Sequence, residues 1–174
     1  MASVDEQHFL NSSFREKLIE HLFVGELLKL AWQKTHCSME IARPEVDNRG
    51  YDLIAESQGV ARHIQLKASR IGAKATGQSV QHALAEKPSG CVLWIYFNEE
   101  TLDLGPFLFY GGTPGKPLPP IAGFKMAKHT KANAQGIKTA KPGLSVVPRT
   151  KFNRLDSIQE VYDALFLAAA PCNP

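Results

Sequence analysis

The chain has 174 residues, 44% hydrophobic and 21% charged, enough for one globular domain with a core of its own. Its longest apolar runs, residues 91–97 and 164–170, hold seven residues each and are far too short for a membrane span. A net charge of +3 conceals an asymmetry: residues 104–155 contain nine Lys and Arg and no acid, while the segments before and after it are each net negative by three.

In chain order, residues 1–12 read as a polar start with acids at Asp5 and Glu6 and no secretion signal. Ser12 or Ser13 can cap a helix over 14–33, with Glu16 as a capping-box partner of Ser13. A short strand over 39–42 ends at Arg43-Pro44. Turn chemistry at Asp47-Asn48-Arg49-Gly50 leads into a hairpin with arms 51–56 and 61–67 around Gln58-Gly59. A loop over 70–77 is followed by a helix over about 78–86, stopped by Pro88 and Gly90. The unbroken apolar run 91–97 has the character of a strand buried on both faces. Residues 102–110 suggest an edge strand, and 111–120 a Pro/Gly-rich loop; residues 121–148 have no clear periodicity. Ser157 to Glu160 is a second capping box, opening a last helix whose apolar face is Ile158, Val161, Tyr162, Leu165 and Phe166.

The hairpin carries the chemistry. With Gln58-Gly59 as a two-residue loop, Asp52 lies across from Gln65, and period-two alternation brings Lys67 to the same face. Tyr51, Leu53, Ile64 and Leu66 then share the other face. A carboxylate, an amide and an ammonium converging beside a sheet can hold a metal ion and a phosphate. On the first helix, measured from Leu18, Glu26 falls at about 80° between Leu22 and Ile19, while Glu16 and Glu20 fall at about 160° and 200°. A carboxylate within an apolar stripe is costly without a partner, which singles out Glu26, although a helix-edge position or a lysine partner would also satisfy it.

A helix Glu, a strand Asp and Gln-x-Lys on the next strand, in the order α-β-β-β-α-β, resemble the PD-(D/E)XK nuclease superfamily, over residues 14–97. Asp47-Asn-Arg-Gly-Tyr-Asp52 followed by Gln65-Leu-Lys67-Ala-Ser69 is similar to a branch of small, mostly uncharacterised bacterial members that read D-x-x-G-x-D and then Q-x-K-S/T. Two positions depart from the superfamily pattern: Tyr51 stands where a proline is usual, and the neutral Gln65 stands at the second acid.

The resemblance implies an α/β, restriction-endonuclease-like core with a central mixed sheet, a basic segment over 104–155 and a C-terminal helix over about 157–168, all in one domain. It implies metal-dependent hydrolysis of nucleic acid, foremost as a DNA endonuclease, with Glu26, Asp52, Gln65 and Lys67 as the catalytic set. Mg²⁺ or Mn²⁺ would be held by Glu26, Asp52, the Gln65 amide oxygen and the Leu66 carbonyl, oxygen donors that suit a hard cation. Lys67 would orient or deprotonate the attacking water. Asp47 is either an extra ligand or a turn residue. Ser69, Arg70, Lys74 and Gln81, with Lys125, Lys128 and Lys131 of the basic segment, are candidate nucleic-acid contacts, since a surface of one sign suits a polyanion. His63 and His82 are weaker candidates, and Trp32 and Trp94 read as core.

Two other readings remain open: a nucleic-acid-binding module that keeps the fold without the chemistry, and a regulatory or assembly protein in which Asp52 and Lys67 are only an ion pair. Three scattered cysteines without a CxxC pair argue against a disulfide framework or a zinc site and fit a reducing cytoplasm. A nuclease that cuts both strands of a duplex from so small a chain suggests a homodimer.

Overall fold

The computed structural model describes residues 11–34, 37–46, 48–129 and 138–167. Helix α1 (Ser12–Lys34) leads into β1 (Met39–Ala42), β2 (Leu53–Ser57) and β3 (Val60–Arg70). Strand β4 (Gly77–Gln81), the short helix α2 (His82–Ala85), β5 (Gly90–Phe97) and β6 (Leu104–Gly111) follow. Last come β7 (Met126–Lys128), β8 (Ala140–Pro148), a 3₁₀ turn, β9 (Asn153–Leu155) and α3 (Ile158–Phe166). The fold is α/β: a mixed six-stranded sheet in the order β1-β2-β3-β5-β6-β9, a smaller sheet in the order β4-β8-β7, and three helices among the described residues.

The hairpin follows the sequence. Gln58 and Gly59 both have positive φ (53° and 78°), the geometry of a two-residue type I′ turn, and this locks Ser57 opposite Val60 and Leu53 opposite Ile64. Strand β3 then pairs in parallel with β5, Gln65 opposite Val92 and Lys67 opposite Trp94, whereas the other described pairs of the large sheet are antiparallel. All eight residues of β5 are buried, as its apolar run requires, because both faces of the sheet are covered. On one face, Ile64, Leu93, Ile95 and Phe107 pack under α1 and α3 through Phe23, Leu27, Val161 and Leu165. On the other, Val92, Trp94, Tyr96 and Tyr110 pack with Val80, Leu84 and Val147 of the small sheet and α2. Helix α3 starts as its sequence specifies: the Glu160 N–H donates to Ser157 Oγ (3.2 Å), and Glu160 Oε2 accepts from the Asp156 N–H (2.9 Å).

Several expectations are corrected. Residues 78–81, expected as helix, form strand β4, because Val80 and its neighbours pair with Ser145 and the rest of β8, a partner more than sixty positions away. The expected edge strand β6 lies inside the sheet, with β9 beyond it as the edge. The unassigned stretch 121–148 contains β7 and β8, two antiparallel strands of the small sheet with an irregular register. Tyr51 does not share the Leu53 face. It packs with the second cluster and meets the His63 ring edge-on, because the β2 ladder ends at Leu53 and the chain turns away before it.

Candidate active site

The site grows from a mismatch in strand length. β2 begins at Leu53, opposite Ile64, whereas β3 runs on to Arg70. Beyond Ile64, β3 is paired with β5 on one side and, among the described residues, with no strand on the other. Asp52 stands at this opening. Its N–H donates to the Ile64 carbonyl (2.9 Å), and its Oδ2 accepts from the Leu66 N–H (2.6 Å). The carboxylate is therefore turned toward the sheet edge and occupies the place of the missing ladder partner. The N–H and C=O of one strand residue point to the same side, so the Leu66 carbonyl also faces the edge that β2 has vacated.

A cavity of about 610 Å³ opens here, bordered by Asp52, Leu66, Lys67 and Ala68 from the hairpin and by Gln78 from β4. Its far wall belongs to α1 and the end of β1: Arg15, Glu16, Lys17, Ile19, Glu20, Arg43 and Pro44. Of the predicted set, the fold brings together Asp52, Leu66 and Lys67. Gln65 is buried (5% exposed) and does not line the cavity, and its Oε1 is enclosed without a hydrogen-bond partner among the described residues.

Glu26 is not at this site. It borders a different hollow with Asp103, Asp156 and Ser157, and its carboxylate lies 3.5 Å from Lys29 on the same helix. The α1 acids on this cavity are Glu16 and, nearly two turns before Glu26, Glu20. Its side chain is almost fully buried, with Oε1 accepting from Arg43 Nε (2.6 Å) and Oε2 from Lys17 Nζ (2.8 Å). Burial raises its pKa, but the hydrogen bonds and charges of Lys17 and Arg43 together outweigh that effect, and the carboxyl is held below its ordinary range. The helical projection misses Glu20 because α1 is apolar around much of its circumference and its inward face depends on Arg43, a residue outside the helix. Gln78, too, is hidden by the helical reading of its segment.

The remaining candidates are scattered. Ser69 Oγ accepts from Trp94 Nε1 (2.9 Å), and Arg70 pairs with Glu99 (2.9 Å). Lys74 is exposed in the turn after β3, and Gln81 packs against Gly50. Lys125 and Lys128 are exposed at β7; Lys131 and Asp47 lie outside the described residues. Arg154 pairs with Asp156 (2.7 Å), whereas Lys116, Lys125, Lys128, Lys138, Lys141, Arg149 and Lys151 have no ion-pair partner among the described residues. The Arg149 guanidinium lies over the Tyr96 ring, 5.3 Å from its centroid. His63 is a packing residue: burial and the nearby Lys87 charge lower its pKa, so the ring is kept neutral against Tyr51. His82 Nε2 bonds Ser145 Oγ (2.8 Å), away from Asp52. Trp94 is core, as expected, but Trp32 is 77% exposed.

The oxygen donors here suit a hard divalent ion. One carboxylate, one edge-facing carbonyl and an unpartnered buried amide oxygen are few, as for Mg²⁺, which keeps several waters and is completed by substrate phosphates. Among the described residues there is no group of three or more His, Cys, Asp or Glu able to hold a metal on their own. No described helix is long and apolar enough to cross a membrane.

No family model matches the chain, and no curated protein does. Among solved structures it is similar to a bacterial homing endonuclease, I-Ssp6803I, with 19% identity and a TM-score of 0.33. The match covers 57% of this chain and 62% of the other, less than two thirds of its length, and a likeness at that level assigns no function.

Proposed function

We propose that the protein is a metal-dependent nuclease of PD-(D/E)XK type that hydrolyses phosphodiester bonds within DNA. The observation that carries this reading is the meeting of Asp52 and Lys67, from the two arms of one hairpin, in a polar cavity where the sheet edge is open. Asp52 and the Leu66 carbonyl are the groups that would hold Mg²⁺ or Mn²⁺ at the cavity, with Gln65 Oε1, buried outside its lining, as the further oxygen donor of this reading. When bound, the ion supplies Lewis-acid activation of water and relief of charge on the non-bridging phosphate oxygens.

The chain's own residues supply the rest. The Leu66 N–H fixes the Asp52 carboxylate in one orientation, so the negative charge that receives the cation is preorganised. Lys67 lines the same cavity, and its role in this reading is to orient the attacking water and stabilise the extra negative charge of the pentavalent transition state. Gln78, on the opposite lip, offers an amide to a phosphate or sugar oxygen. The lysines of the basic segment supply non-specific attraction for the backbone.

A second reading, a catalytically weak nucleic-acid-binding module on the same fold, is favoured by one feature: Gln65 is neutral and withdrawn from the cavity, leaving Asp52 as the lone carboxylate on the hairpin side. Supercoiled plasmid incubated with Mg²⁺, Mn²⁺ or EDTA separates the two. Nicking or linearisation that disappears with EDTA, with Asp52→Ala and with Lys67→Ala supports the nuclease. Salt-sensitive binding without cleavage in any metal supports the module.

A further inference from the structure

The helix side of the cavity has its own organisation. Glu20 is buried and uses one oxygen for Arg43 and the other for Lys17, so it is committed to two cations and is not available as a metal ligand. The two cations are only partly consumed. Arg43 is held through Nε, and its Nη2 lies 3.5 Å from His21 Nδ1, which leaves Nη1 without a partner among the described residues. Lys17 bonds Glu20, and its side chain is 67% exposed. Both line the cavity that contains Asp52 and Lys67. Burying a carboxylate costs several kcal/mol unless it is paired, and a pair that consumed both charges would leave a neutral wall. Here one carboxylate fixes two cations that both line the cavity, so the triad keeps a net positive charge there.

We infer that Arg43 and Lys17, fixed by Glu20, form an anchor for a backbone phosphate next to the one that is cleaved. Glu20 is thus a positioning residue, and the anchor supplies positive charge on the α1 side of the cavity. The inference rests on the nuclease reading for the identity of its ligand, a nucleic-acid phosphodiester. An arginine held by a carboxylate at Nε keeps its orientation while Nη1 is left for a phosphate oxygen, a fixed planar geometry that lysine does not offer.

The test measures binding of a short fluorescein-labelled DNA duplex in EDTA, by anisotropy across a salt series, for the full chain and for Lys17→Gln, Arg43→Gln and Lys29→Gln. Lys29 lies on the same helix beside Glu26 and serves as a charge-matched control. Lys17→Gln and Arg43→Gln are expected to weaken binding several-fold and to reduce the salt slope by about one each, with Lys29→Gln leaving the slope unchanged. Arg43 also ties β1 to α1, so its variant is checked by thermal unfolding; if Arg43→Gln fails to fold, the exposed Lys17 decides the question. Unchanged slopes for Lys17→Gln, or equal losses for Lys29→Gln, overturn the anchor even if plasmid cleavage by the wild type upholds the nuclease. Losses specific to Lys17 and Arg43 in a protein that cleaves nothing uphold the anchor and reject the nuclease. A wild type that neither binds nor cleaves rejects both.

Discussion

Two hollows border the first helix, and they differ in the sign of what surrounds them. The one at Asp52 has four cationic side chains (Arg15, Lys17, Arg43 and Lys67) against three acids (Glu16, Glu20 and Asp52). The other, about 470 Å³, gathers Glu26, Asp103 and Asp156 and is lined by no cation among the described residues. Each contains at least one acid from α1, so a helix carboxylate by itself does not distinguish them. What distinguishes them is the free edge of β3, where Asp52 and Lys67 line one cavity together with cations from a second element. Phosphate chemistry needs that mixture, because a purely acidic hollow repels the substrate that a metal ion would have to share.

The largest expected effect breaks the comparison outright if it fails. Lys67→Ala and Asp52→Ala should each reduce plasmid cleavage by on the order of 10²–10³, while Glu26→Ala and Asp103→Ala leave it unchanged. Equal losses from both hollows, measured as initial rates at saturating Mg²⁺, would contradict this separation.

Next in size is the turn that delivers Asp52. Gly50 has φ of +77°, and a Cβ built on it would lie 2.7 Å from Gln81 Cβ. Gly50→Ala should destabilise the protein by about 1–3 kcal/mol and lower cleavage through displacement of Asp52. Thermal unfolding of this variant at wild-type temperature would show that the turn does not require glycine.

Smaller effects accompany acidification. The Glu20 carboxyl is held below its ordinary value in the folded chain, so the unfolded chain binds more protons as pH falls. Its contribution to stability is complete above the ordinary carboxylate range and is lost as pH drops through the lowered folded value. Urea unfolding across that range should be steeper with pH for the wild type than for Glu20→Gln; identical slopes would refute the triad's role. His63, also shifted down, chiefly by burial and then by the Lys87 charge, contributes above the ordinary histidine value and loses that contribution below it. An NMR midpoint for His63 at or above that of a free imidazole would contradict its packing.

The hairpin is legible in the sequence because its information is local. A two-residue loop with glycine sets the register, and the alternation of Leu53, Ile64 and Leu66 sets the inward face. The buried strand β5 and helix α3 are legible for similar reasons, an unbroken apolar run and a capping box. What escapes a sequence reading depends on partners distant along the chain. Gln78 to Gln81 carry no strong preference of their own, and β8 makes them a strand. Glu20 falls at about 200° on the helical projection, away from the stripe that holds Glu26, and only Arg43, arriving from the end of β1, accounts for its burial. Gln65 lies across from Asp52 in an ideal ladder, but the ladder stops at Leu53, and Asp52 turns to the edge while Gln65 stays buried.

A divalent-ion difference map is the most direct measurement of the claim that the open edge of β3 is the chemical centre. Crystals soaked in Mn²⁺ should show an anomalous peak within about 2.0–2.6 Å of an Asp52 oxygen, with the Leu66 carbonyl facing the same ion. A peak among Glu26, Asp103 and Asp156 instead, with none at Asp52, would contradict the account.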